Sequence, residues 1–266
     1  MKTKLFFDYT SAPHTKNEDF WITVMLDTQG QPINANEGNI VVDSRFTIKD
    51  INDADSNVTF WIERPIQDKN IVSFSGIIPG GFVSNKGKVF SLLVHSNEIG
   101  NETISARDIK VLQNDGKGSV LENMVVPANI QITEGQVKTT AEIIDKELPE
   151  SFTPLVSTDP ALFGGNNFVV FSTQDKLSGI KEYQVKEGFW GTYTAAQSPY
   201  ELHYQRLDRT IYIKAVDKQG NERIETVGAQ HISITEGIVL GILLCVGVVL
   251  LVKKIWKRTS IPSQLQ

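Results

Sequence analysis

Apolar and polar residues alternate with a period of two along most of the first half of the chain. In the clearest segment one face carries Phe20, Ile22, Val24 and Leu26, and the other face carries Trp21, Thr23, Met25 and Asp27. Such alternation is typical of a strand that is buried on one side. Similar short runs recur up to residue 133, with turn-forming residues such as Pro79, Gly80 and Gly81 between them. Many short strands without a helical period predict a β-sandwich over residues 1–133.

A second set of strands follows an acid-rich stretch, residues 134–150, which we predict to be a linker. The strongest β pattern in it covers residues 210–216, and Asp217, Gly220 and Asn221 form a predicted hairpin turn directly afterwards. Together with residues 175–180, this segment resembles the immunoglobulin-like or fibronectin-like repeats of bacterial surface proteins. We therefore predict an all-β chain with two sandwiches in series, the second over residues 151–228.

The first predicted sandwich carries an ordered set of short sequence blocks. They occupy residues 20–28, 32–35, 37–38, 43, 60–65, 71–76, 79–82, 87–90 and 111–116. In this order they resemble the cohesin-like family of bacterial sandwiches. The resemblance implies a jelly-roll-like sandwich, a fold shared with some carbohydrate-binding modules, but it does not imply which ligand is bound. It suggests a dockerin-type protein as the partner of residues 1–133, and a polysaccharide is the alternative.

Residues 237–252, GIVLGILLCVGVVLLV, are uncharged and apolar on every helical face. As a helix they would extend about 24 Å, slightly less than the hydrocarbon layer of a bilayer, which is about 30 Å thick. The residues predicted to anchor the ends of this span in the headgroup zone are Lys253, Lys254, Trp256, Lys257 and Arg258. The sequence thus predicts a juxtamembrane linker at 229–236, one transmembrane helix at 237–252 and a basic tail at 253–266.

The positive charges after the span place this tail in the cytoplasm and both sandwiches outside the cell. That orientation requires an export signal, but the first residues, MKTKLFF, have a basic start without the apolar run of a signal peptide. Either the signal is missing from this sequence, or the protein is tail-anchored and its bulk stays in the cytoplasm. We favour the missing signal, because tail anchoring would put the basic cluster on the wrong side.

The composition narrows the classes of function. A net charge of −5 argues against a nucleic-acid surface. The single cysteine, Cys245, lies in the predicted span, so the sandwiches have no disulfide and no thiol chemistry. The histidines stand apart from one another and from any nucleophile signature, at positions 14, 95, 203 and 231. We therefore expect no enzymatic activity.

Two groups of residues are candidates for a site. Asp159, Asp175 and Asp217 could meet at one end of the second sandwich and bind calcium, although acidic residues in loops are usually only solvated, so we expect no obligatory cofactor. Trp21, Met25 and Trp61 lie out of phase with their apolar neighbours, so they are predicted to face outward and bind a ligand. Both tryptophans could instead pack on the second sheet or under a loop.

Three functions remain open. The first is a membrane-tethered surface protein that binds a dockerin-type protein, and the second is a glycan-binding module with Trp21 or Trp61 as its platform. The third is an envelope scaffold without a specific ligand. A planar row of aromatic rings would favour a sugar, whereas a broad mixed patch would favour a protein. A separate aromatic loop, Phe189, Trp190 and Tyr193, could close the end of the second sandwich or touch the first.

Overall fold

The computed structural model describes residues 2–137 and 144–229. Within these ranges the chain is all-β, and its one helical segment is a 3-10 turn at Phe163–Gly165. The predicted transmembrane helix and basic tail, residues 237–266, lie outside the described residues. Among the residues that are described, no helix has the length and apolar character needed to cross a membrane.

The first sandwich consists of twelve strands in the described residues. They are β1 (Thr3–Asp8), β2 (His14–Thr15), β3 (Asp19–Asp27), β4 (Ile33–Val42), β5 (Phe46–Asn52), β6 (Phe60–Asp68), β7 (Ile71–Phe82), β8 (Gly87–Ser96), β9 (Gly100–Gln113), β10 (Val120–Leu121), β11 (Asn123–Val125) and β12 (Ala128–Thr133). One sheet has the order β11-β1-β3-β8-β5. The other has the order β2-β12-β9-β4-β7-β6, with β10 paired to β9.

One hydrophobic core lies between these two sheets. It joins Ile22 and Phe90 of the first sheet to Ile40 and Phe74 of the second, each at most 2% exposed. Alternation explains this arrangement, because each strand turns every second side chain inward. The predicted inward face of β3 is confirmed, since Phe20, Ile22, Val24 and Leu26 are all in the core.

The second sandwich has seven strands in the described residues. They are β13 (Leu155–Thr158), β14 (Asn167–Val170), β15 (Ile180–Glu187), β16 (Thr194–Ala196), β17 (Tyr200–Glu201), β18 (Ile211–Asp217) and β19 (Glu222–Val227). Its sheets have the orders β13-β14-β17 and β16-β15-β18-β19. Val169, Phe171 and Leu202 from one side pack with Val185, Ile211 and Ile213 from the other.

The end of the predicted linker is held against the second sandwich. Asn221 Nδ2 donates a hydrogen bond to the Asp145 carbonyl at 3.3 Å, and the Glu150 amide donates to the Gln174 carbonyl at 2.8 Å. Asp145 itself is only 5% exposed. The structure thus places residues 145–150 on the second sandwich.

The two sandwiches contact each other directly. Gln174 Nε2 donates to the carbonyls of Ser56 and Val58 at 2.6 and 3.0 Å. Lys218 Nζ lies 2.6 Å from the Asp50 carboxylate, across the same boundary. These bonds connect β5 and the loop after it to the loops at one end of the second sandwich.

Candidate binding surface and candidate metal centre

The outer face of the five-stranded sheet carries a row of apolar side chains that do not belong to the core. Met25 on β3 pairs with Phe6 on β1, and Trp21 on β3 pairs with Leu93 on β8. Met124 on β11 joins the same face, since it pairs with Lys4 beside Phe6. We call these five residues, Phe6, Trp21, Met25, Leu93 and Met124, the outer patch.

The outer patch is mixed rather than purely aromatic. The Thr23 and Ser91 hydroxyls are hydrogen bonded to each other at 2.9 Å in its middle, and the His95 ring and Asp19 carboxylate meet at 2.5 Å beside it. Lys4 Nζ lies 5.2 Å from the centre of the Phe6 ring. A broad surface of this kind, with two aromatic rings among aliphatic and polar groups, suits a protein better than a sugar.

Met25 is less accessible to a ligand than its position on β3 predicts. It faces outward as expected, yet only 8% of it is exposed. The cause is its register, because Phe6 on one side and Lys88 on the other are its direct neighbours. Burial lowers the pKa of the Lys88 amine, although the charges of Asp55 and Asp53 oppose this effect. Met25 therefore forms the floor of the outer patch.

Trp61 is not the outward platform that its phase in the sequence predicts. The ring is half-buried against the core, while the next residue, Ile62, is 66% exposed. Two features explain the reversal. The pairing of β6 with β7 shifts register between Trp61 and Glu63, and Gly76, opposite Trp61, leaves space that a Cβ would fill at 3.0 Å from the ring. Trp61 lines a groove of about 690 Å³ between β6 and strands β15 and β16.

Three buried carboxylates meet at the end of the second sandwich that faces the first. Asp145, Asp175 and Asp217 each offer an oxygen, and these oxygens all lie within 4.8 Å of one another. The three residues are between 0% and 5% exposed. Asp175 and Asp217 were expected here, but Asp159 lies elsewhere, exposed, with its carboxylate accepting a hydrogen bond from the Ala161 amide at 2.8 Å.

Local hydrogen bonds hold each carboxylate in place. Asp175 Oδ1 accepts from the Ser178 and Gly179 amides at 2.7 and 2.9 Å, and Asp217 Oδ1 accepts from the Asn221 amide at 2.8 Å. Burial alone would raise the pKa of Asp145, but hydrogen bonds from Ser178 and the Glu147 amide lower it overall. The Asp145 carboxylate therefore favours its ionised form, and carboxylate oxygens are the donor type that calcium prefers.

Sequence spacing could not have identified Asp145. It precedes Asp175 by a whole β-strand pair and lies in a stretch that the composition marks as a linker. Hydrogen bonds from the Asn221 side chain to its carbonyl and from the Ser178 amide to its carboxylate hold it there. The residues that could hold a cation are thus Asp145, Asp175 and Asp217, without Asp159.

Known structures similar to this chain are cohesin modules. A non-cellulosomal cohesin from Archaeoglobus fulgidus is 12% identical, and the match covers 50% of this chain and 93% of that one, with a TM-score of 0.43. The seventh ScaB type I cohesin of Pseudobacteroides cellulosolvens is 10% identical over 53% and 98%, with a TM-score of 0.44. A type I cohesin–dockerin complex from Clostridium thermocellum is 13% identical over 50% and 100%, with a TM-score of 0.41.

No protein-family model matches the chain, and no curated protein matches it. The similarity to solved structures thus extends over half of the chain, at identities of 10–13%.

Proposed function

We propose that this chain is a membrane-anchored protein-binding module whose outer patch docks a dockerin-type partner. The observation that carries the proposal is the outer patch itself, because its apolar side chains belong to neither core. Apolar side chains gathered on one sheet face are typical of a surface that a partner covers. The cohesin-like order of the sequence blocks supports a dockerin-type protein as the partner, and one of the similar structures is a cohesin in complex with a dockerin.

The position of the second sandwich agrees with a docking role for the first. It contacts β5, β6 and the loop between them, through residues such as Asp50, Ser56 and Arg64. Four of the five outer-patch residues lie on β1, β3 and β11, and the fifth, Leu93 on β8, pairs with Asp50, so the outer patch ends beside those contacts. In our proposal the second sandwich is a spacer, residues 237–252 cross the cell membrane, and both sandwiches are extracellular.

The test is binding of the full chain, reconstituted in lipid nanodiscs, to a panel of dockerin modules and to a glycan array. We expect one or more dockerins to bind, and Trp21→Ala to weaken that binding at least tenfold, since a buried interface aromatic contributes about 2 kcal/mol or more. Trp190→Ala is the matched control, because it removes an exposed tryptophan from the second sandwich and should leave the dissociation constant unchanged.

The alternatives give different results in the same experiment. Glycan binding that is lost in Trp21→Ala would replace the protein-binding proposal with the carbohydrate one. If the chain binds neither the dockerin panel nor the glycan array, the protein-binding proposal is wrong and the envelope scaffold is the remaining function. Equal effects of Trp21→Ala and Trp190→Ala would show that the outer patch is not the contact surface.

A further inference from the structure

Two large apolar side chains are exposed at one end of the second sandwich. Phe189 is 70% and Trp190 is 92% exposed, and their rings meet edge to face with centroids 4.9 Å apart. With so much of their surface exposed, the two rings do not close the end of the sandwich, which is one of the two roles that the sequence predicted for them. Exposed aromatic side chains of this size usually mark a contact surface.

The loop that carries them is held in a defined shape. The Gly188 amide donates to the Thr210 carbonyl at 2.8 Å, and the Gly191 amide donates to the Gly188 carbonyl at 3.2 Å. A Cβ on Gly191 would lie 2.5 Å from the Glu187 carbonyl, so this turn requires glycine. The two rings are therefore presented by a fixed backbone.

Tyrosines and cations surround the two rings. Arg209 lies 3.7 Å from the centre of the Tyr204 ring, and Lys186 lies 4.0 Å from that of Tyr212. Both tyrosines line a cleft of about 850 Å³ beside Phe189 and Trp190. Aromatic rings next to lysine and arginine are the combination that proteins place at the membrane–water interface.

The topology puts this end away from the first sandwich. Glu187 pairs with Ile211, which pairs with Val227, all at the end where the rings lie. The opposite end of β15 is Ile180, next to the loops that contact the first sandwich. Since β15 has eight residues, and therefore seven residue steps, the two ends are separated by about 23 Å.

The chain also leaves the second sandwich at the end that carries Phe189 and Trp190, which we call the aromatic end. Ala229, the last described residue, lines the same cleft as Trp190. The eight residue steps from Ala229 to Gly237, where the apolar segment begins, can extend at most about 28 Å. Of the described residues, those nearest in sequence to the apolar segment therefore lie at the aromatic end.

We propose that Phe189 and Trp190 insert into the headgroup zone of the membrane that holds residues 237–252, with Lys186 and Arg209 facing lipid phosphates. This inference rests on the proposed membrane anchoring. It gives the second sandwich a second role, because a sandwich that touches the bilayer at one end and the first sandwich at the other sets the height and tilt of the outer patch.

Site-specific fluorescence in nanodiscs tests the inference. Cys245→Ala removes the single cysteine, and then either Trp190→Cys or Leu155→Cys is labelled with an environment-sensitive dye. Leu155 is the matched control, since it is 65% exposed on the same sandwich and pairs with Val170 near the first sandwich. We expect a blue-shifted emission, quenched by headgroup-depth spin-labelled lipid, for the dye at 190 and not at 155.

A second measurement avoids the dye. In the unlabelled chain, Trp190→Phe should lower the fraction of tryptophan emission that brominated lipid quenches, while Trp21→Phe should not. Identical lipid quenching at 190 and 155 in a chain that stays in the nanodisc would overturn the inference and leave the anchoring intact. Failure of the chain to enter the nanodisc would overturn both. A shift at 190 caused by soluble glycan or protein, and not by lipid, would assign the loop to that partner.

Discussion

Single residues in the first sandwich show how burial and hydrogen bonding compete. The Glu18 side chain is 7% exposed and lies 3.0 Å from His14 Nδ1. Its other oxygen accepts from the Thr15 amide at 2.7 Å. Burial alone would raise the pKa of Glu18, but the hydrogen bonds from Thr15 and His14 lower it overall. The His14 ring stacks on Phe20 at 3.6 Å, so this polar group is joined directly to the core.

Glu18→Gln should therefore destabilise the first sandwich in a pH-dependent way. Because the folded pKa lies below the ordinary value of 4.5, the stabilisation is complete above pH 4.5 and disappears as the pH falls through the folded pKa. We expect a loss of about 1.5–3 kcal/mol at pH 7, the size of hydrogen bonds to a charged group. Urea unfolding at pH 7 and pH 3 measures it.

Glu37→Gln is the control for that measurement. Glu37 pairs with Lys110 at 2.8 Å, but both side chains are largely exposed. Solvent screens an exposed ion pair, which therefore contributes little to stability, so this variant should unfold nearly as the unchanged protein does at both pH values. A Glu18→Gln effect of the same size at pH 3 and pH 7 would contradict the assigned role of the carboxylate.

At the scale of strands, regular alternation made part of the fold predictable. The inward residues of β3 follow from a period of two, because that strand keeps its phase to Leu26. The phase of β6 did not follow, since its register shift and the space above Gly76 are properties of the neighbouring strand β7. The carboxylate cluster was only half predictable for a related reason. Asp145 reaches it through a tertiary hydrogen bond that no sequence pattern reports.

The same cluster makes a prediction for the second sandwich. We expect Ca²⁺ to raise its melting temperature and a chelator to reverse the effect, because a cation would relieve the repulsion of three buried carboxylates. Asp145→Asn should abolish the calcium response, since it removes one charge from the cluster. Differential scanning calorimetry measures this shift in the presence and absence of calcium. The calcium concentration should be about 1 mM, which is the order of the dissociation constants of weak extracellular sites.

Asp159→Asn is the matched control, because Asp159 is exposed and lies outside the cluster. Its calcium response should equal that of the unchanged protein. A melting temperature that does not change with calcium would contradict the cation site. The three carboxylates would then only stabilise their own loops, through hydrogen bonds such as the one from the Gly179 amide to Asp175.

At the scale of the whole molecule, the two sandwiches share an interface, whereas the sequence predicted two sandwiches in series joined by a linker. Gly179 shows how close it is, since a Cβ there would lie 2.5 Å from Asp53 Oδ1. Arg64, which forms an ion pair with Asp53, also reaches the Ile180 carbonyl at 3.4 Å. Composition identified two sandwiches, but it could not reveal this contact, because the bonds join residues more than a hundred positions apart.

The interface should hold the sandwiches together after the chain between them is cut. With a specific protease site placed between residues 137 and 144, we expect the two fragments of the unchanged protein to co-elute in size-exclusion chromatography. The double variant Gln174→Ala and Lys218→Ala should separate them, because it removes the bonds to Ser56, Val58 and Asp50. Lys214→Ala is the matched control, since this lysine of β18 pairs with Glu222 inside the second sandwich at 2.9 Å. Fragments that separate without any substitution would show that the second sandwich is a free spacer, and the outer patch would then have no fixed orientation to the membrane.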